Sequence, residues 1–162
     1  MRHSRVRERI EPGEGAAAAA ERLAREKAID VARRCRAGRI LGADTLVVSG
    51  REILGKPRNT GDARRMLRQL SGRTHRVITG VALCAPGGRV IASTRSITQV
   101  RFRRLSRADI DWYLATGDPM DKAGAYGIQS GAGLFITEIR GSYSNVVGLP
   151  MDVVCGMLGL PA

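Results

Sequence analysis

The chain has 162 residues, 43% hydrophobic and 26% charged, which predicts one globular domain over residues 1–162 with a single core. No apolar run approaches the ~20 residues that a membrane-spanning helix needs, and no apolar stretch follows the basic first residues. We therefore expect neither a membrane protein nor a signal peptide. The net charge of +12 favours anionic partners, but it does not separate a nucleotide enzyme from a nucleic-acid-binding protein.

The first part of the chain predicts two helices with a buried strand between them. Small apolar residues recur at three- and four-residue steps, which indicates an amphipathic helix from about Ala16 to Cys35. Residues 40–48 are mostly apolar and predict a buried strand. Thr60 is a candidate cap for a short helix that continues to Leu70.

Turn and cap signals predict the later elements. Residues 76–84 and 89–102 are rich in strand-forming residues and flank Pro86-Gly87-Gly88, which predicts a hairpin. Ser106 and Asp109 resemble a capping box that opens the next helix. Further elements follow in chain order: a glycine-rich polar loop over 118–130, a strand over Leu134–Ile139 and a C-terminal helix with Pro150 at its first position. The predicted fold class is mixed α/β (α+β), with a mixed sheet flanked by helices.

The three cysteines, Cys35, Cys84 and Cys155, are widely spaced and lack the spacing of a metal site. An odd number of such cysteines predicts small core residues in a reducing compartment. The expected location is therefore the cytoplasm.

Lysine is rare among the basic residues, since only Lys27, Lys56 and Lys122 of the 27 are lysines and the rest are arginines. A lysine is a compact, flexible point charge that suits phosphate oxygens, whereas arginine favours a two-pronged contact. The three lysines are therefore candidate phosphate ligands. Chance is the alternative, because three is a small number.

Asp44 is the residue in the predicted buried strand that most needs an explanation. A buried carboxylate without a partner is costly, so the strand predicts either a core ion pair with an arginine or a site. A carboxylate at a strand end facing a cleft is a common position for a catalytic group in α/β domains. Both interpretations remain open from the residues alone.

Two segments downstream of Asp44 place lysines beside glycines. Gly55-Lys56-Pro57 is a rigid turn, and it lacks the pattern of a P-loop. Residues 121–129 contain a carboxylate, Lys122, two glycines and an amide, and such glycines allow close approach of the backbone to a ligand. A purely structural Ω-loop is the alternative for this second segment.

These motifs occur in the same order as in the Maf family, which the chain resembles over nearly its whole length. The matching segments are Glu21 to Ala28, Ala43-Asp44-Thr45, Gly55-Lys56-Pro57, Leu70 to His75, Asp121 to Gln129 and Asn145 to Pro150. The family consists of nucleoside triphosphate pyrophosphatases. The resemblance implies a fold like that of inosine triphosphate pyrophosphatase, with a mixed sheet, flanking helices and two lobes separated by a cleft.

The resemblance also implies hydrolysis of a nucleoside triphosphate to the monophosphate and pyrophosphate, assisted by a divalent cation such as Mg²⁺ or Mn²⁺. Asp44 matches the family's proton acceptor, which would activate the water that attacks the α-phosphorus. Lys27, Lys56 and Lys122 match lysines that face the phosphates, in agreement with the separate argument from lysine usage.

Two further positions match the branch of the family that prefers dTTP and UTP. These positions are Thr45 and Gln129. The branch that acts on 7-methyl-GTP looks different, with Gln and Glu at the same two positions. The resemblance therefore implies that both residues contact the substrate and set nucleotide preference. Modified pyrimidine nucleotides remain open as the true substrates.

One family motif has no counterpart in this sequence. Family members begin with a strand and a Ser-x-Ser-Pro-Arg-Arg motif, so we expect either a start codon placed too late or an N-terminally shortened form with weak activity. Glu8 falls near the position of the family's acidic pair. It is therefore a candidate metal ligand together with Asp44.

The sequence as a whole predicts a dTTP/UTP pyrophosphatase whose partner is its nucleotide, without a role for nucleic acid or membrane. The alternative is a catalytically impaired relative that acts as a basic nucleic-acid-binding or cell-division regulatory factor. The +12 charge and the missing arginine pair favour the alternative, while few aromatic residues for base stacking oppose it. The sequence leaves open whether the protein is a homodimer.

Overall fold

The computed structural model describes residues 3–161. Within that range the helices are α1 (Ala16–Ala32), α2 (Thr60–Leu70), α3 (Arg107–Ala115), α4 (Tyr143–Val147) and α5 (Met151–Leu158). The strands are β1 (Ile40–Ser49), β2 (Glu52–Leu54), β3 (Thr74–Cys84), β4 (Val90–Phe102) and β5 (Ile136–Arg140). They form one five-stranded sheet in the order β2-β1-β3-β4-β5. The mixed α/β class is confirmed.

Two antiparallel pairings form the ends of this sheet. β1 and β2 pair with Val47 opposite Leu54, while β4 and β5 pair with Val100 opposite Ile139. The second pairing contains a register shift between Arg101 and Phe102. Among the described residues, no helix is long and apolar enough to cross a membrane.

Most predicted elements are present, but several boundaries were wrong. Helix α1 ends at Ala32 rather than Cys35, because the amides of Arg34 and Cys35 bond three residues back and tighten the last turn. Helix α2 is capped by Asn59 rather than Thr60, since the Asn59 side chain accepts a hydrogen bond from the Asp62 amide at 2.9 Å.

The C-terminal half also differs from the prediction. Pro150 is the N-cap of α5 and not its first helical residue, and β5 starts at Ile136 because residues 131–135 form a short 3₁₀ helix. Strand β2 and helix α4 were not predicted. Both are too short to show a hydrophobic period in sequence.

The described chain divides into two compact units. The first unit contains the residues up to Thr45, Ile78–Ser96 and the residues from Gly148, while the second contains Leu46–Val77 and Ile97–Val147. Strands β1, β3 and β4 each contribute residues to both units.

The cysteines of the described chain are all free, as expected. Only Cys84 lies fully in the core, whereas Cys35 and Cys155 are half-buried. The prediction that all three are core residues was therefore wrong for two of them.

In the first unit, an alanine-rich helix lies directly on the strands. Ala24, Ala28 and Ala32 of α1 pack with Ala82 and Cys84 of β3, and all five are fully buried. The small side chains permit this close approach of backbone to backbone.

Two strand glycines are required for the same contact. A Cβ at Gly80 would lie 2.1 Å from the carbonyl oxygen of Ala20, and one at Gly42 would lie 2.6 Å from that of Ala24. The Ala-rich face of α1 and these glycines together set the distance between helix and sheet, and that distance brings Lys27 of α1 to β1.

The second unit has a different core, with larger side chains. Leu67 and Leu70 of α2 are fully buried, and they belong to one cluster with the aromatic residues Phe102, Tyr113 and Phe135. His75 and Tyr126 lie in the same region, with their rings at right angles to one another. This core supports the segment that carries the predicted loop lysine.

We expect Gly80→Ala to destabilise the protein by roughly 1–3 kcal/mol or more, because the added methyl group would meet helix backbone and not a flexible side chain. Gly156→Ala is the matched control, since a Cβ there meets nothing within 4 Å and Gly156 lies inside α5. Urea unfolding should show a lower midpoint for the first variant and an equal or higher one for the second. Equal midpoints for both would contradict the close helix–sheet contact.

Candidate functional site

Asp44 of β1 is buried and bonded to a lysine. The residue is 6% exposed, and the Lys27 Nζ donates a hydrogen bond to Asp44 Oδ1 at 2.5 Å. The same Nζ donates to Glu8 Oε1 at 2.6 Å. One ammonium group is thus held between two carboxylates. Asp44 therefore has an ion-pair partner from helix α1, and that partner is a lysine, where one of the two sequence-based interpretations had an arginine.

The charge state of Lys27 follows from this arrangement. Burial alone opposes the charged ammonium, but the hydrogen bonds to Asp44 and Glu8 outweigh it, so the pKa of Lys27 is raised above its ordinary value. Lys27 therefore stays protonated at neutral pH. It supplies a fixed positive charge next to the carboxylate of β1.

Glu8 and Lys27 also line a pocket of about 540 Å³ within the first unit. Its remaining walls come from the N-terminal segment, from α1, from the connection after it with Cys35 and Arg39, and from the first residues of β1, including Leu41. The predicted metal ligand and the predicted phosphate lysine therefore border the same solvent-accessible space.

Glu8 and Asp44 are the candidate ligands for a divalent cation. Glu8 and Asp44 already place carboxylate oxygens around one cation, the Lys27 ammonium. Within residues 3–161, no group of three or more His, Cys, Asp or Glu residues could hold a metal ion. Two carboxylates fit Mg²⁺ or Mn²⁺ when substrate phosphates and water complete the shell, but they do not form a cage made only of protein ligands.

Thr45 lies next to Asp44 and is held by a neighbouring strand. Its Oγ1 is 2.9 Å from Oγ1 of Thr79 on β3, and Thr79 is fully buried. A Cβ added at Gly148 would lie 3.5 Å from the same Thr45 oxygen, so Gly148 lies close to this position. Sequence reasoning missed Thr79, because a threonine inside an apolar strand gives no signal of its own.

In the second unit, Lys122 is fixed by the loop that contains it. Its Nζ donates to Asp121 Oδ1 at 2.7 Å and to the carbonyl of Asp118 at 3.1 Å. A Cβ at Gly127 would lie 2.7 Å from the side chain of Lys122, so a larger residue would displace the lysine from the path it takes here. The glycine of this motif therefore lets the lysine lie against the loop backbone.

The two lysines of the second unit are brought together by one backbone contact. The amide of Gly124, which has a φ of 71°, donates to the carbonyl of Gly55 at 3.0 Å. This bond ties the loop of Lys122 to the turn of Lys56. The hydrogen bond from Lys122 is the main cause of the lowered pKa of Asp121, and the charge of Lys56 contributes to it.

Gln129 is the last of the site residues predicted from the sequence. It is exposed, and it lies within the turn in which the Ser130 amide donates to the carbonyl of Gly127. The described structure thus brings Asp44, Thr45, Lys27 and Glu8 together in the first unit. It brings Lys56 and Lys122 together in the second, on the segment that also carries Gln129.

Comparison with known proteins shows the family of this chain. The family described as Maf-like protein matches residues 1–160. A curated relative from Chromobacterium violaceum is 51% identical over 154 residues, which cover 92% of this chain and 77% of the relative. One from Anaeromyxobacter dehalogenans is 49% identical over 153 residues, which cover 93% of this chain and 77% of the relative.

Both relatives are named dTTP/UTP pyrophosphatase, and so is one from Myxococcus xanthus that is 49% identical over 152 residues, 92% of this chain and 76% of the relative. The chain belongs to the Maf-like family. The alternative of a basic nucleic-acid-binding or regulatory protein is not favoured by these relatives.

We expect Lys27→Met to destabilise the protein, because it removes the ammonium that Asp44 contacts in a buried position. The loss should be roughly 1–3 kcal/mol, the range for removing one partner of a buried polar pair. Asp44→Asn combined with Lys27→Met should cost less than the sum of the two single changes. A double-mutant cycle of unfolding free energies measures this coupling, and additive changes would show that the two residues do not interact.

Proposed function

We propose that this protein is a nucleoside triphosphate pyrophosphatase that hydrolyses dTTP and UTP to the monophosphate and pyrophosphate. The observation that carries the proposal is identity near 50% with relatives of that name over more than nine-tenths of the chain. The buried Asp44–Lys27 pair, with Thr45 beside it, supports the proposal from the structure. We place the enzyme in the cytoplasm, where free cysteines such as Cys84 persist.

Asp44 serves as the proton acceptor in this mechanism. Its carboxylate takes a proton from a water molecule whose oxygen forms a new bond to the α-phosphorus. The bond between the α-phosphorus and the bridging oxygen breaks, and pyrophosphate leaves with the electron pair. Lys27 holds the carboxylate in place through the 2.5 Å hydrogen bond and keeps a positive charge near the reacting phosphate.

The lysines supply charge for the triphosphate. Phosphoryl transfer depends mostly on positioning and on neutralising negative charge, and a lysine contributes a point charge to phosphate oxygens. Lys56 and Lys122 are the second unit's candidates for this role, since one backbone bond holds their two segments together. Lys27 is the first unit's candidate.

Thr45 and Gln129 are the proposed determinants of nucleotide preference. The Thr45 hydroxyl is fixed by Thr79, and the exposed Gln129 amide offers a donor beside an acceptor. Thymine and uracil share an edge on which an N–H donor stands beside carbonyl acceptors. An amide can pair with that edge in both bases, which accounts for a joint preference for dTTP and UTP.

A divalent cation, Mg²⁺ or Mn²⁺, is the proposed cofactor. Glu8 and Asp44 would hold it together with phosphate oxygens, since two carboxylates plus substrate form a common environment for Mg²⁺. The cation would neutralise charge on the phosphates when bound. The same two carboxylates share the Lys27 ammonium in the structure.

Asp44→Asn should lower pyrophosphate release by about 10²–10⁴-fold and leave nucleotide binding largely intact, because the amide cannot accept the proton. The assay measures pyrophosphate from a panel of nucleoside triphosphates, with dTTP and UTP expected to be the best substrates. Asp152→Asn, at an exposed position in the first turn of α5, is the matched control and should be near wild type. An Asp44→Asn enzyme with more than about a tenth of the wild-type rate would exclude Asp44 as the base.

Lys56→Arg and Lys122→Arg should each impair turnover although the charge is kept. At Lys122 the wider guanidinium must cross Gly127, where the existing side chain already fills the space of a Cβ. Arg51→Lys is the control: it exchanges the same two residue types in the opposite direction at an exposed position, and it should have no effect on the rate. Normal turnover in both arginine variants would show that the scarcity of lysine in this chain has no bearing on phosphate binding.

A further inference from the structure

We propose that His75 is a positioning residue for the reaction: its ring nitrogen accepts a hydrogen bond from Tyr126 and so fixes the loop that carries Lys122 and Gln129. This inference rests on the proposed function for its catalytic consequence. Its structural part stands on contacts within the second unit alone.

His75 is buried at the start of β3, and its ring makes one hydrogen bond within the described part of the chain. It is 2% exposed, and its Nε2 lies 2.7 Å from the Tyr126 hydroxyl. The other ring nitrogen, Nδ1, is buried and has no hydrogen-bond partner among the described residues. A buried polar atom left without a partner is costly, so another interaction must outweigh it if the histidine is to remain.

The bond to Tyr126 can form with either tautomer of a neutral histidine. If Nε2 carried the proton, it would donate to the Tyr126 oxygen, and the hydroxyl hydrogen and the Nδ1 lone pair would be unpaired. If Nδ1 carries the proton, the Tyr126 hydroxyl donates to Nε2, and the Nδ1 hydrogen and the lone pairs of the Tyr126 oxygen are unpaired. The number of unpaired groups is equal, but a phenol hydroxyl is a stronger donor than a neutral imidazole N–H and a bare imidazole nitrogen is a stronger acceptor than a phenol oxygen, so we assign the Nδ1–H tautomer with Tyr126 as the donor.

The surroundings of His75 keep the ring neutral. The edges of Phe102 and Tyr126 meet the ring at 5.1 Å and 5.4 Å between centroids, in nearly perpendicular orientations. Burial in these aromatic surroundings lowers the pKa of His75 to about 4. The Nε2 lone pair therefore remains available to Tyr126 across the neutral pH range.

Tyr126 connects this buried contact to the loop. It follows Ala125, whose φ of 60° is unusual for a residue other than glycine, and the tyrosine itself is 6% exposed. The next residue, Gly127, donates its amide to the Tyr113 hydroxyl at 3.1 Å. The middle of the loop is therefore held to the core through two tyrosines, one on the loop and one on α3.

The position of Lys122 depends on the same residues. The lysine crosses the loop directly over Gly127, so a shift of Tyr126 moves the surface on which Lys122 lies. A displacement of about 1 Å at a catalytic group can lower the rate by on the order of 10²-fold. His75 thus affects catalysis through Tyr126 and the loop, without touching the substrate.

Three variants test this chain of contacts. His75→Leu removes both nitrogens, Tyr126→Phe removes the hydroxyl, and His75→Gln keeps a side-chain amide that can still bond Tyr126. We expect kcat/KM to fall by about 10-fold or more in the first two and to recover to within a few-fold of wild type in the third. Ile110→Ala, a buried change in α3, is the control for lost stability and should leave kcat/KM near wild type.

Two measurements on the intact protein do not depend on enzymatic activity. Long-range ¹H–¹⁵N spectra should show that His75 has a protonated Nδ1 and a bare Nε2 over the neutral pH range. Hydrogen exchange should show faster exchange over residues 121–130 in Tyr126→Phe than in wild type, while exchange in α2 stays unchanged. These results distinguish failure of this proposal from failure of the proposed function.

Several outcomes would overturn the proposal. A protonated Nε2 in wild type would exclude Tyr126 as the donor. Unchanged exchange over residues 121–130 in Tyr126→Phe would show that the bond does not hold the loop. Normal kcat/KM in Tyr126→Phe, or a loss in Ile110→Ala as large as that in His75→Leu, would reduce His75 to an ordinary core residue. If His75→Leu fails to fold, Tyr126→Phe and His75→Gln still decide the question.

Discussion

The ion pair between Lys27 and Asp44 depends on how closely α1 lies on the sheet. A buried carboxylate on a central strand needs a partner, and the partner here comes from a helix whose buried face is mostly alanine. Gly42 and Gly80 remove the side chains that would keep that helix away. Small residues on the helix and on the sheet therefore place the candidate base beside a fixed positive charge, although these residues have no chemistry of their own.

In the second unit, contacts with the rest of the unit hold an irregular segment in one conformation. The loop of Lys122 has little regular structure, but its backbone bonds Gly55 and its side chains reach the core through Tyr126. Glycines at 124 and 127 allow conformations and close contacts that other residues would prevent. A rigid loop keeps two lysines at constant positions, which suits catalysis by positioning of charge.

Sequence reasoning identified candidate residues for the chemistry more easily than the contacts that hold them. Asp44 and Lys122 stand out because a charge in an apolar strand and a lysine among glycines conflict with their surroundings. His75 and Thr79 do not stand out, since their importance depends on partners far away in the sequence, Tyr126 and Thr45. Short elements such as β2 were missed because three residues carry no periodicity.

In the proposed reaction, water attacks the α-phosphorus of a pyrimidine nucleoside triphosphate. Hydrolysis of dTTP in ¹⁸O-labelled water tests this most directly, with mass spectrometry used to locate the label. The account predicts that the label enters the nucleoside monophosphate and that the released pyrophosphate is unlabelled. Label in the pyrophosphate, or release of orthophosphate in place of pyrophosphate, would contradict it.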